Sequence, residues 1–262
     1  MTGVQTCALP ISFQLATRGA VTYETRIMRL FGIPESEIAA DLRAIEEEDG
    51  VDLSPLEITT CLRRGEIEVA TRFEPRAEKT YAKLEQGIAA RHGEVLYSRD
   101  GSTIDEQVAN LLTDGPHTIA TTESCTGGLL AARLTERPGS SAYVLGGLVT
   151  YSNEAKVALA GVDPSLISRV GAVSVEVAEA MADGAIARLD AELGVGITGI
   201  AGPDGGTEDK PVGTVCISVA SRDGARLTRR ARLPGNRSDI RDRSATMALH
   251  LIRRLLLGES DG

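Results

Sequence analysis

Eight residues, Thr121-Thr122-Glu123-Ser124-Cys125-Thr126-Gly127-Gly128, join a short β-leaning run (His117 to Ala120) to a helical pattern carried by Leu129, Leu130, Arg133 and Leu134. A strand that passes straight into a helix is the repeating step of a layered α/β fold. A serine at that junction is exposed at the sheet edge, and the first free N–H groups of the helix point at whatever is bonded to it. Ser124 therefore stands where a nucleophile would. The pattern is not a Gly-x-Ser-x-Gly elbow, and the same residues also read as a Ser/Thr helix cap.

Composition narrows the partners. Twenty-eight basic against 37 acidic side chains leave a net charge of −9, which opposes polyanion binding, so nucleic acid is not an expected partner. Cys7, Cys61, Cys125 and Cys216 are widely spaced, and only three histidines occur, which suggests neither a metal site nor a disulfide framework. A reducing cytoplasm is the expected location, and no apolar run is long enough for a membrane span.

Three regions are expected. Residues 1–21 read as a non-native or disordered leader, the first twelve of them (MTGVQTCALPIS) resembling the translation of a sequencing-adapter oligonucleotide. Residues 22–98 read as strand, helix, two strands, helix, strand, a small α+β module with a hairpin turning at Arg63-Arg64-Gly65. The order suits a KH-type nucleic-acid module. Its 10 basic and 16 acidic residues, and its lack of a Gly-x-x-Gly loop, favour a scaffold or interface role instead.

Residues 99–262 alternate helices and strands. A capping box is expected at Ser102 and Asp105. Gly146-Gly147 inside an apolar run suggests a bulge or a close neighbour. Asn153 reads as an N-cap, which puts Lys156 in the first turn of a helix. There the dipole and any burial lower an amine's pKa, so Lys156 facing a dry pocket with Ser124 would suit a neutral general base; an exposed lysine is the simpler reading. Gly194, Gly196 and Gly199 match Gly-x-Gly-x-x-Gly, but they fall within a strand and lead into a loop holding Pro203, so a dinucleotide fingerprint is rejected. The loop from Thr198 to Gly206 lies at a strand's C-terminal end, where its N–H groups could cradle an anion. Arg237 opens the last helix, a position that a bound phosphate would explain; free solvent exposure is the simpler reading.

Taken in order, Glu-Ser-Cys-Thr-Gly-Gly (123–128), Pro-Gly-Ser-Ser (138–141), Thr-Tyr-Ser-Asn-x-x-Lys (150–156), Gly-Ala-Val-Ser (171–174), Thr-Gly-Ile-Ala-Gly-Pro-x-Gly-Gly (198–206) and Lys-Pro-Val-Gly-Thr (210–214) resemble the CinA family, specifically its C-terminal nicotinamide-nucleotide amidohydrolase domain. The resemblance spans residues 100–257, and residues 22–98 are similar to the family's KH-like middle module. The family's molybdopterin-binding-like domain, linked to ADP-ribose pyrophosphatase activity, has no counterpart here, and that activity is not expected.

The resemblance implies a three-layer α/β/α domain with a mixed sheet, and hydrolysis of nicotinamide mononucleotide to nicotinate mononucleotide and ammonia without a cofactor. Ser124 corresponds to the nucleophile, Lys156 to its base and Tyr151 to an assisting group. Ser141, Thr126, Gly127, Gly128, Thr198, Gly199, Gly202 and Arg237 are the expected substrate-facing residues, and a homo-oligomer is expected. Two other readings stand beside this one: a non-catalytic nucleotide-binding or interaction module, and an amidase for another pyridine carboxamide.

Overall fold

The structure, a computed structural model, describes residues 22–93 and 95–259. The expected leader, residues 1–21, lies outside the described residues. The chain first builds β1 (Glu24–Phe31), α1 (Glu35–Glu47), β2 (Leu56–Arg63), β3 (Glu66–Phe73), α2 (Glu78–His92) and β4 (Leu96–Ser98). These strands form an antiparallel sheet in the order β2-β3-β1-β4. The β2–β3 hairpin closes over Arg64 and Gly65, both at positive φ (56° and 90°), the geometry that lets a two-residue turn follow the strand twist. Met28, Leu30, Ile67 and Val69 from the sheet and Ile38, Ile45, Leu84 and Ile88 from the helices share one apolar core.

The remainder builds α3 (Ile104–Asp114), β5 (Ile119–Glu123), α4 (Leu129–Thr135), β6 (Val144–Val149), α5 (Asn153–Ala160), α6 (Pro164–Val170), α7 (Val175–Leu189), β7 (Leu193–Gly199), β8 (Thr214–Ser221), β9 (Arg226–Arg232) and α8 (Arg237–Leu256). Its sheet runs β6-β5-β7-β8-β9. β5 is parallel to both neighbours, whereas β8 is antiparallel to β7 and β9, so the sheet is mixed. α7 packs on one face and α8, with α3 and α4, on the other. The result is the expected α/β/α sandwich. Among the described residues no helix is long and apolar enough to cross a membrane.

Glycines set how closely these layers approach. An added Cβ at Gly194 or Gly196 would run into the Ala182 or Ala178 carbonyl oxygen of α7, so the strand glycines serve helix–sheet contact, not a nucleotide. At Gly147 an added Cβ would stand 2.8 Å from Thr121 Oγ1 and 3.1 Å from Ala131 Cβ, while the β5–β6 register slips beside Gly146, so both readings of that pair hold.

Two caps shift by one residue. The capping box on α3 pairs Thr103 with Glu106, not Ser102 with Asp105, because Ser102 hydrogen-bonds Asp100. The N-cap of α5 is Ser152, whose Oγ accepts the Ala155 N–H at 3.1 Å.

Candidate active site

Ser124 follows β5 at the C-terminal end of the parallel strands. Its N–H donates to the Ile197 carbonyl of β7 at 2.9 Å, which pins the turn to the middle of the sheet. Gly127 and Gly128 take positive φ (61° and 93°), so the chain reverses within four residues and enters α4. The helix therefore starts at Leu129, the first residue of the expected pattern.

Its first N–H groups are already taken. The Glu123 carboxylate accepts from Gly128 N and Leu130 N, both at 3.1 Å, and from Ala131 N at 2.8 Å. Glu123 is 1% exposed, so these charge-assisted bonds replace the water it has lost. The expectation that this helix end is open to an oxyanion is thereby corrected. By contrast, the N–H groups of Cys125 and Thr126 donate to no carbonyl among the described residues.

Lys156 approaches from α5. Its Nζ lies 3.0 Å from Ser124 Oγ and 2.9 Å from the Thr150 carbonyl oxygen. Thr150 N in turn donates to Glu123 O at 2.8 Å, so the lysine's acceptor is tied to the serine strand. With Lys156 2% and Ser124 7% exposed, the pair is nearly dry. Burial pushes the lysine pKa below its ordinary 10.5, partly offset by the Glu154 carboxylate. Cys125 is inert beside it, since burial pushes that thiol up to about 12.

Tyr151 is 61% exposed and reaches neither Ser124 nor Lys156 through a hydrogen bond among the described residues. Instead its hydroxyl accepts from Arg237 Nη2 at 2.7 Å, while Arg237 Nη1 donates to Gly202 O at 2.8 Å. Arg237 so bridges the 198–206 loop and the Tyr151 turn, with its charge facing uncharged acceptors. Thr198 Oγ1 donates to Ala172 O at 2.8 Å and holds the turn before α7. Gly199 lies against the serine turn, where an added Cβ would be 3.0 Å from Cys125 Sγ. Thr126 is fully buried, and its Oγ1 has no partner among the described residues.

Ser141 is not brought to this site. It precedes β6, and Ile119 pairs with Val144 at one end of the parallel strands while Glu123 pairs with Val149 at the other. Parallel pairing thus puts Ser141 at the sheet end opposite Ser124. Two contributors went unread in the sequence. Glu123 carries no local signal for its capping role. Arg241, whose Nη2 donates to Thr126 O at 2.7 Å, stands four residues after Arg237, a spacing that puts both on one face of α8.

Comparison with known proteins extends this picture. The family model described as CinA C-terminal domain matches residues 101–256. A CinA-like protein of Mycobacterium marinum is 60% identical over 93% of this chain, and one of Mycobacterium tuberculosis is 58% identical over 94%. In each case the chain spans 56% of the relative's length. Among solved structures, the competence/damage inducible protein CihA from Agrobacterium tumefaciens is 42% identical with a TM-score of 0.56, over 58% of this chain and 94% of that one. A CinA superfamily protein from Escherichia coli is 31% identical with a TM-score of 0.55, over 63% and 96%.

Proposed function

The chain belongs to the CinA family through its C-terminal domain, and on that premise we propose that it is an amidohydrolase converting nicotinamide mononucleotide to nicotinate mononucleotide and ammonia. The observation that carries this reading is the buried Lys156 Nζ, 3.0 Å from Ser124 Oγ, with its pKa lowered by desolvation. A charged lysine there donates to the serine. A neutral one accepts the hydroxyl proton and leaves an activated alkoxide.

In this mechanism Oγ of Ser124 attacks the carboxamide carbon as Lys156 takes its proton. The tetrahedral oxyanion forms near the N–H of Cys125, the residue after the nucleophile, with Thr126 N–H as second donor. Such donors contribute about 2.7–4 kcal/mol each in known cases. The Lys156 ammonium then protonates departing ammonia, and water, deprotonated by the same amine, releases the acyl group. The three backbone bonds to Glu123 hold the turn that aims Ser124. Arg237 and Arg241 supply positive charge for the substrate phosphate, and the Tyr151 hydroxyl steers Arg237.

The test is ammonia release from nicotinamide mononucleotide by the purified chain, beside nicotinamide riboside and other pyridine carboxamides. Turnover that persists in Ser124→Ala sinks the mechanism. Substrate binding without ammonia release by the unaltered chain sinks the enzymatic reading and leaves a nucleotide-binding module.

A further inference from the structure

Residues 200–213 join β7 to β8 at the sheet end that carries Ser124. The ladder of the two strands runs on into the base of this loop, where Ile200 N–H donates to Thr214 O and Gly213 N–H to Ile200 O, both at 2.8 Å. Beyond the base, residues 203–209 are exposed. Two cations hold the loop, one in each helical layer. On the α8 side Arg237 Nη1 donates to Gly202 O at 2.8 Å. On the other side Lys210 Nζ donates at 2.8 Å to the carbonyl of Val170, the last residue of α6, which packs on α7.

The mechanism uses no residue of the Lys-Pro-Val-Gly-Thr stretch (210–214), yet Lys210 is built into the fold. Carbonyls of a last helical turn lack intrahelical donors and carry partial negative charge, so an ammonium there makes a favourable, charge-assisted bond. Two residues after Val170, Ala172 O accepts from Thr198 Oγ1 at 2.8 Å. The α6–α7 turn therefore grips the loop at its entry, through Thr198, and near its exit, through Lys210. Inside the loop, Thr207 N–H donates to Lys210 O at 2.9 Å and Lys210 N–H to Thr207 Oγ1 at 3.1 Å. Val212 fills the interior so closely that a Cβ added at Gly202 would stand 2.6 Å from its Cγ1. Lys210, Val212, Gly202 and Arg237 thus form one contiguous path across the end of the sheet, and Gly199 at its start lies against the serine turn.

We propose that Lys210 is a positioning residue: it fastens the 200–213 loop to the α6–α7 turn, holds the Gly202 carbonyl on Arg237, and so aims Arg237 at the phosphate of a ligand bound beside Ser124. The aiming part rests on the proposed function; the fastening part does not. Without the Lys210 bond the loop is held on the α8 side alone, and Gly202 no longer fixes the direction of the Arg237 guanidinium.

Hydrogen exchange of the loop amides and steady-state kinetics of Lys210→Met in the full chain test it. Methionine keeps the half-buried stem, so a Tm close to that of the unaltered chain is expected to confirm folding. Exchange at Thr207 and Gly213 is expected to be about ten-fold faster. KM for nicotinamide mononucleotide is expected to rise about five-fold with kcat little changed, while KM for nicotinamide riboside, which lacks the phosphate, stays put. In an Arg237→Ala background Lys210→Met is expected to add nothing to KM, the sign that both residues act along one path. Lys210→Arg, which keeps a charged donor, is expected to restore slow exchange and low KM. The proposal is overturned by unchanged exchange in Lys210→Met, by faster exchange with KM unmoved, or by an undiminished effect on KM in the Arg237→Ala background. Absence of ammonia release by the unaltered chain counts against the proposed function and not against Lys210; the calorimetric Kd for nicotinamide mononucleotide then replaces KM, and the exchange rates still decide the fastening.

Discussion

Lys156 meets Ser124 across 32 positions of sequence, Nζ to Oγ at 3.0 Å, in a setting where both are nearly sealed from solvent. If the neutral amine is the base, kcat/KM for nicotinamide mononucleotide rises with pH and levels off at a pKa below 10.5, because burial disfavours the ammonium. Lys156→Arg, whose guanidinium does not deprotonate, is expected to be inactive at every pH. A flat pH profile in the unaltered chain would count against the assignment.

The same burial carries a sign for stability. The folded pKa of Lys156 lies below the unfolded value near 10.5, so between the two the unfolded chain binds more protons and stability climbs with pH. Below the folded pKa the penalty is fully present. Stability of the unaltered chain is expected to gain on that of Lys156→Met as pH approaches 10.5, with Lys156→Met the more stable at pH 7. Denaturant melts at several pH values measure both.

Glu123→Ala removes the acceptor of three N–H groups at a buried helix start. The expected loss is on the order of 3 kcal/mol in stability, since each orphaned group costs about 1–3 kcal/mol in part recoverable by water. Turnover should fall as well, because the turn carrying Ser124 loosens. Glu123→Gln, which keeps one acceptor oxygen and the side-chain shape, is expected to fall between the two.

Arg237→Ala is expected to raise KM for nicotinamide mononucleotide about ten-fold or more with little change in kcat, while nicotinamide riboside, which lacks the phosphate, is unaffected. An equal effect on both substrates would assign Arg237 to loop support through Gly202 and Tyr151 alone.

Gly196→Ala should destabilise by about 2 kcal/mol or more, since the added methyl meets the Ala178 carbonyl and Met181 Cβ of α7 at a fixed helix–sheet distance. Thermal unfolding of Gly196→Ala beside the unaltered chain measures this steric cost.

Much was legible without coordinates. Periodicity located the strand before Ser124 and the helix after it, and the Arg64-Gly65 hairpin, because each is dictated by neighbours a few residues apart. Where a cap slipped, as from Ser102 to Thr103, a competing local acceptor decided it: Asp100 takes the Ser102 hydroxyl. Ser141 was placed with the site by resemblance, and pairing of β6 with β5 separates them.

By itself the sequence determined the elements and the family, since these rest on short-range patterns and on ordered motifs. Tertiary structure alone decided that Lys156 is dry and within reach of Ser124, that Glu123 already fills the helix end beside it, and that Arg237 joins Gly202 to Tyr151. Desolvation and hydrogen-bond occupancy depend on which distant segments the sheet brings side by side, and no local pattern of residues carries that information.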